Sequence, residues 1–249
     1  MQYDEIVIIT GASKGLGRNI LDQIIRKPQT LAVSISRSKI VCDSDNFEQL
    51  NYDLSSFQYC VEAMIAIENL LSKHNSIKKI ILINNAARLG EIKTCRNSNP
   101  EDISKTIFLN TTVPILLQNK VIQYANKDVH VEVLNIISGA SNKPYHGWGA
   151  YCTSKAGLLM ATKTMALEIT NLGLNAKTWA LIPGVIDTEM QEKIRSSNYE
   201  DFNDLDRFIK FKSDNVLISP QKLACFISNS LSDKSFINGE TYNQKDFLL

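Results

Sequence analysis

The chain lacks any clustering of cysteine or histidine. Its five cysteines, Cys42, Cys60, Cys95, Cys152 and Cys225, lie far apart, form no Cys-x-x-Cys pair, and are joined by only three histidines. That pattern excludes a disulfide framework and gives no metal site. Net charge is almost absent as well, at +1, which removes the electrostatic case for nucleic acid or an anionic membrane as partner. No apolar run reaches the ~20 residues that span a bilayer. No signal peptide is read before the first strand, and no Pro/Gly/Ser-rich linker, repeat or low-complexity tract divides the chain. The expectation is a cytoplasmic protein forming one domain over residues 1–249, with no membrane or nucleic-acid partner.

What is present is an alternation of short apolar runs with longer helical patterns, the mark of βαβ units and a parallel sheet. Strands are expected at 6–10, 31–36, 50–52, 79–84, 131–137, 175–182 and, at an edge, 239–242. Helices are expected at 15–26, 57–73, 100–124, 151–172 and 220–231. Asn99 and Pro100 supply the cap and first position of the third helix. The stretch 188–215 is polar with broken helical periodicity. Seven strands joined by right-handed crossovers make a doubly wound, Rossmann-type α/β sheet with helices on both faces.

The run Thr10-Gly11-Ala12-Ser13-Lys14-Gly15-Leu16-Gly17 ends the first strand and opens the first helix. A helix N-terminus there presents free N–H groups and a positive dipole end to a pyrophosphate, and glycines let the backbone approach it. The spacing differs from Gly-x-Gly-x-x-Gly, and the Gly-Lys-Ser/Thr ending of an ATP-binding loop is missing. The second strand ends Ser34-Ile35-Ser36-Arg37-Ser38, with no carboxylate to accept a ribose 2′-hydroxyl. Arg37 offers a guanidinium fork to a 2′-phosphate, and Lys14 adds a second charge, so NADP(H) is expected over NAD(H).

Tyr151 and Lys155 stand four apart on the expected fourth helix and so share a face. A tyrosine with a pKa of about 10 is a poor acid or base at neutral pH, and a fixed positive charge beside it moves that value toward the working range. Ser138 lies thirteen residues upstream. Cys152 has no histidine or acid in sequence position to activate it and reads as a small helix residue.

Together these elements resemble the short-chain dehydrogenase/reductase family over nearly the whole chain. The resemblance rests on Thr-Gly-x-x-x-Gly-x-Gly at 10–17, Asn84-Asn85-Ala86, Asn110, Ser138, Tyr-x-x-x-Lys at 151–155, and Pro183-Gly184 followed by Thr188. Ala87 departs from the glycine usual after Asn-Asn-Ala. Within the family, Ser138–Ala140, Tyr145–Trp148, Pro183–Met190 and the C-terminal Tyr242, Asp246, Phe247 and Leu248 are similar to bacterial sepiapterin reductase-like proteins, including NADPH-dependent benzil reductases.

The resemblance implies that Tyr151 is the general acid and that Lys155 lowers its pKa and bonds the nicotinamide ribose. It implies that Ser138 holds the carbonyl oxygen and that Asn110 relays protons through a water to Lys155. Asp53 is implied to contact adenine, Asn85 and Ala86 the adenosine, and Ile186 and Thr188 the carboxamide. Tyr145, His146 and Trp148 would wall an aromatic substrate pocket, with packing as the rival reading of Trp148 and a polar loop position as that of His146. Met190, Phe202 and Phe208 would belong to a lid over roughly 188–215, and Asp246 is similar to a carboxylate that anchors a pterin. The activity implied is NADPH-dependent reduction of a small, often aromatic ketone or α-diketone, by a homodimer or alternatively a tetramer. A 3-oxoacyl thioester reductase or alcohol dehydrogenase on the same scaffold is the runner-up, with Arg195, Arg207, Lys210 and Lys212 bearing on it. A non-catalytic NADPH sensor is the rival from another class.

Overall fold

The computed structural model describes residues 3–231 and 235–246. Seven parallel strands form one sheet: β1 (Glu5–Thr10), β2 (Thr30–Ile35), β3 (Phe47–Leu50), β4 (Lys79–Asn84), β5 (His130–Ile136), β6 (Ala176–Ile182) and β7 (Thr241–Asn243). Their order across the sheet is 3-2-1-4-5-6-7, so the chain winds outward one way from β1 and then returns to wind the other way from β4. The crevice at that reversal, beyond the carboxyl ends of β1 and β4, is where sheets of this kind hold ligands.

Ile6, Val7, Ile8 and Ile9 are all fully buried, because both faces of β1 are covered. Ile6 and Ile8 pack with α2 (Phe57–Ser72) and α4 (Val113–Ile122) on one face. Val7 and Ile9 pack with α1 (Gly15–Ile24) and α8 (Pro220–Ser230) on the other. The sheet is therefore the core, and its upper edge is left free for chemistry.

The structure differs from the sequence expectation in places that bear on the site. The third strand lies at 47–50 rather than 50–52, because its register is set by β2, with Ala32 opposite Phe47 and Ile35 opposite Leu50. Asp53 then sits in a turn, its carboxylate accepting from the Ser55 N–H and hydroxyl before α2 begins. The helix expected at 100–124 is divided into α3 (Pro100–Ile107), a π-helical turn (Phe108–Thr112) and α4. Such π-turns gather at functional sites, and this one carries Asn110. The polar stretch after β6 contains two short helices, α6 (Glu189–Arg195) and α7 (Leu205–Ser213). It also buries Phe202 and Phe208, which broken periodicity concealed. The longest helix, α5 (Gly149–Leu172), begins two residues before Tyr151 and ends at Gly173 in the left-handed conformation. No described helix is long and apolar enough to cross a membrane.

Candidate active site

A cleft of about 850 Å³ runs along the carboxyl ends of the strands, from Arg37 and Asp53 past the glycine loop to Tyr151 and Lys155. Gly11, Ser13, Lys14, Gly15, Leu16 and Gly17 form its floor at β1 and α1. α1 opens on the cleft without a side-chain cap or an acid in its first turn, so nothing on the helix itself opposes its free N–H groups and positive dipole end. Gly17 has no room for a side chain, since a Cβ there would sit 2.4 Å from the Gly11 carbonyl oxygen and 2.5 Å from Asn85 Nδ2. Asn85 fixes the loop from β4. Its Nδ2 donates to the Thr10 carbonyl at 2.9 Å, while the N–H groups of Asn85 and Ala86 donate to Thr10 Oγ1 at 3.0 and 2.9 Å.

At one end of the cleft Arg37 is exposed and lies 3.7 Å from the Asp53 carboxylate. The Ser55 hydrogen bonds and Arg37 hold Asp53 below the usual carboxylate value, against the opposing effect of burial. Lys14 reaches across the cleft to pair with Glu189 at the start of α6. That partner was not read from the sequence, and it competes for the charge expected to meet a phosphate.

At the other end Tyr151 and Lys155 are both buried, at 7% and 3% exposure. Lys155 Nζ lies 6.0 Å from the Tyr151 ring centroid and donates to the Ile136 carbonyl at 2.8 Å. Burial pushes the Tyr151 phenol up to about 12, with a hydrogen bond to Ser138 pulling the other way. Burial also pushes the Lys155 ammonium down to about 8. Desolvation of the phenolate is the largest cause of the shift, so the lowering expected from Lys155 does not set its direction in this structure. The phenol stays protonated at neutral pH, which is the state a proton donor needs.

Asn110 is fully buried and its side chain is committed to other partners. Oδ1 accepts from the Arg88 N–H at 2.9 Å, and Nδ2 donates to the Arg88 carbonyl at 2.8 Å and to Ser154 Oγ at 3.0 Å. Ser154 in turn donates to the Tyr151 carbonyl at 2.8 Å. The side-chain amide of Asn110 pins the segment after β4 to the helix bearing Tyr151. Reaching the π-turn is what allows this, and Ser154 and Arg88 carried no sequence signal for it.

Beyond Pro183, Gly184 adopts φ +73°, and a Cβ there would meet Ile218 Cδ1 at 2.7 Å and Gln244 Nε2 at 2.9 Å. Pro183, Ile186, Thr188, Met190 and Lys193 line the cleft, as do Ala87 and Arg88. Lys193 Nζ donates to the Gly90 carbonyl at 2.7 Å, tying α6 to the loop after β4. Of the described side chains expected to wall the substrate pocket, Met190 lines the cleft. Trp148 is instead buried in an aromatic cluster with Tyr145, Phe202 and Phe208, because the lid supplies rings that cover it. His146 is exposed. Asp246 closes a 3-10 turn, Gln244–Asp246, and its side chain lies outside the described part of the structure, as do Phe247 and Leu248.

With this geometry in view, residues 5–199 match the family described as short chain dehydrogenase. The chain belongs to that family. It is 38% identical over 247 residues to a benzil reductase ((S)-benzoin forming) of Bacillus subtilis (strain 168), covering 98% of this chain and all of the relative. A benzil reductase of the same description from Bacillus cereus is 36% identical, covering 94% of this chain and 96% of the relative. Sepiapterin reductase of Mus musculus is more distant, at 28% over 88% of this chain and 89% of the relative. Among solved structures, a short chain dehydrogenase/reductase from Saccharomyces cerevisiae superposes with a TM-score of 0.84 at 22% identity, covering 98% of this chain and 97% of its own. As a short chain dehydrogenase the protein is an oxidoreductase acting on CH–OH and C=O groups, in a family that uses a nicotinamide dinucleotide.

The residues present fit such a dinucleotide. An uncapped helix N-terminus and close-packed glycines suit the pyrophosphate, and the cleft continues from there to a buried phenol and ammonium.

Proposed function

We propose that the protein is an NADPH-dependent carbonyl reductase of a small aromatic ketone or α-diketone, with benzil as a representative substrate. The observation that carries the reading is Tyr151, a phenol kept protonated by burial at the inner end of the cleft, hydrogen-bonded to Ser138 and beside Lys155. The glycine loop, Lys155, Ile186 and Thr188 would hold a nicotinamide dinucleotide, whose chemistry would be hydride transfer to the substrate carbon. Tyr151 donates its proton to the carbonyl oxygen, and Ser138 donates a hydrogen bond to the same oxygen as negative charge develops there. Lys155 stabilises the phenolate left behind and orients the nicotinamide ribose. Asn110, through Arg88 and Ser154, holds the helix of Tyr151 against the far wall of the cleft.

Arg37, exposed just past β2 in a run Ser34–Ser38 that has no carboxylate of its own, favours a 2′-phosphate over its 3.7 Å contact with Asp53, and Lys14, paired with Glu189, adds a second charge. The basic residues that would favour a thioester reductase do not lie on the cleft: Lys212 pairs with Asp187 at 2.7 Å, and Arg207 lies 3.8 Å from Asp204.

The test is an NADPH-consumption screen over benzil, other α-diketones, sepiapterin and acetoacetyl thioesters, run with wild type and Tyr151→Phe. Benzil is expected to be reduced at one carbonyl. Tyr151→Phe is expected to keep NADPH binding and lose about 10²–10⁴-fold in turnover, the usual contribution of a general acid. Turnover of thioesters alone would overturn the substrate assignment, and a Phe variant close to wild type would overturn the acid.

A further inference from the structure

The aromatic cluster beneath the lid is more than filling. Trp148 immediately precedes α5, and its carbonyl accepts the Cys152 N–H at 2.8 Å, so it caps the helix that carries Tyr151. One edge of the cluster meets the acid: the Trp148 and Tyr151 rings stand 5.6 Å apart at 82°. The opposite contact belongs to the lid. Phe202, fully buried, stacks on the indole at 5.0 Å and 9°, and Phe208 meets it at 5.4 Å and 65°. The indole N–H has no hydrogen-bond partner among the described residues, so packing rather than a side-chain hydrogen bond orients the ring of Trp148.

A second set of contacts holds the same point. A Cβ on Gly147 would lie 2.0 Å from the Asp201 carbonyl oxygen, so the lid backbone rests directly on the residue before Trp148. The Asp201 carboxylate also takes Lys93 Nζ at 2.5 Å. Ile194 of α6 joins the cluster, and Met190, one turn earlier on α6, lines the cleft.

We propose that Trp148 is a positioning residue that couples the lid to the general acid: Phe202 seats on the indole as the lid closes, and the indole in turn fixes the Tyr151 ring. Closure over substrate and alignment of the proton donor are then one event. The proposal rests on Tyr151 as the acid, and it gives two of the aromatic neighbours of Trp148, Phe202 and Tyr151, opposite tasks. Phe202 reports the lid, and Tyr151 receives the result.

The chain has two tryptophans, and the other, Trp179, lies in β6 packed on Phe236, so Trp179→Phe leaves Trp148 as the sole emitter. In that background Phe202→Ala is compared with Phe202→Leu, which keeps most of the volume but no ring and guards against a variant that fails to fold. Both are expected to red-shift Trp148 emission and open it to acrylamide. Single-turnover reduction should slow about tenfold or more, as for a misplaced catalytic group, with the Kd for NADPH unchanged. In the native background Trp148→Phe, which keeps a ring, should retain most turnover that Trp148→Leu loses.

An emission shift without a rate change would overturn the coupling. An unshifted emission would overturn the seating of Phe202 on the indole. A parallel loss of NADPH binding and turnover would reduce the cluster to scaffold and overturn it too. Tyr151→Phe measured alongside separates the two ideas. If that variant keeps turnover, the acid assignment fails on its own, and the emission arm still decides whether the lid seats on Trp148.

Discussion

The two ends of the cleft are built by different means. The dinucleotide end is backbone: glycines where no Cβ fits, an uncapped helix N-terminus, and Asn85 and Thr10 clamping one strand end to the next. The substrate end is side-chain packing brought from afar. Trp148 is covered by Phe202 and Phe208, while Lys193 reaches out of the lid to Gly90 and Lys93 reaches into it to Asp201. The first kind of site tolerates almost no change in shape but accepts one class of ligand. The second can exchange its rings and aliphatic side chains and so change substrate without disturbing the cofactor. This contrast accounts for one scaffold serving many carbonyl substrates.

The sharpest way to break the contrast is Gly17→Ala. Its Cβ would collide with backbone at 2.4 Å and with the Asn85 amide, neither of which is a flexible chain end. A loss of about 10²-fold in kcat/KM is expected, since displacement of the pyrophosphate cradle by about 1 Å is enough for it. Titration of NADPH by fluorescence checks this, and unaltered binding would mean that the loop is more yielding than its packing indicates. Next in size is Arg37→Asp. Losing a charge-assisted contact worth about 1.5–3 kcal/mol raises the KM for NADPH about 10–100-fold. It should also improve the relative use of NADH. Lys14→Ala should act in the same direction with smaller effect, because Lys14 already has Glu189 as a partner. Wild-type preference for NADH in kcat/KM would refute the argument from β2.

The same contrast decides what the sequence disclosed. Glycine spacing after β1 and the Tyr151–Lys155 spacing are local, so the loop at one end of the cleft and the buried pair at the other were legible from residues a few positions apart. The sheet was legible too, since fully buried parallel strands such as β1 and β4 read as unbroken apolar runs. β3 was misplaced because its register comes from pairing with β2, which no local pattern encodes. The π-turn was invisible because helical periodicity continues through it, and with it the true partners of Asn110 were hidden. Trp148 pointed to substrate when only its neighbours in sequence were considered. Its covering rings lie more than fifty residues away, and only folding brings them together.

The pH profile offers a smaller test, of about tenfold per pH unit on one limb. Lys155 is held down to about 8 by burial, so its positive charge is present below that value and lost above it. Tyr151, pushed up to about 12, stays protonated across the working range. The kcat/KM for NADPH, which reports the free enzyme, is therefore expected to fall as pH rises through about 8. The same group affects stability with a defined sign. Its folded value lies below the unfolded 10.5, so the unfolded state binds more protons between about 8 and 10.5, and stability from this group rises with pH over that window. Lys155→Met should accordingly melt higher than wild type at pH 7 while losing turnover. A limb appearing only near pH 10 would show that burial of Lys155 is relieved in solution.

The smallest effect expected tests which side chains face the substrate. Met190 lines the cleft, whereas Trp148 sits beneath the lid at 5% exposure. Met190→Ala removes apolar surface that a phenyl ring can cover, at about 0.8 kcal/mol, or roughly fourfold in binding, for each methylene-sized group the ring covers. Benzil should therefore suffer several-fold more than diacetyl, which is too small to reach that surface. Trp148→Ala should instead penalise both diketones equally, because the indole acts on Tyr151 rather than on either substrate. Steady-state kcat/KM for the two diketones with each variant settles the point. If Trp148→Ala spared diacetyl and Met190→Ala did not discriminate, the indole would have to face the substrate, and the division between a packed lid and an open cleft would fall.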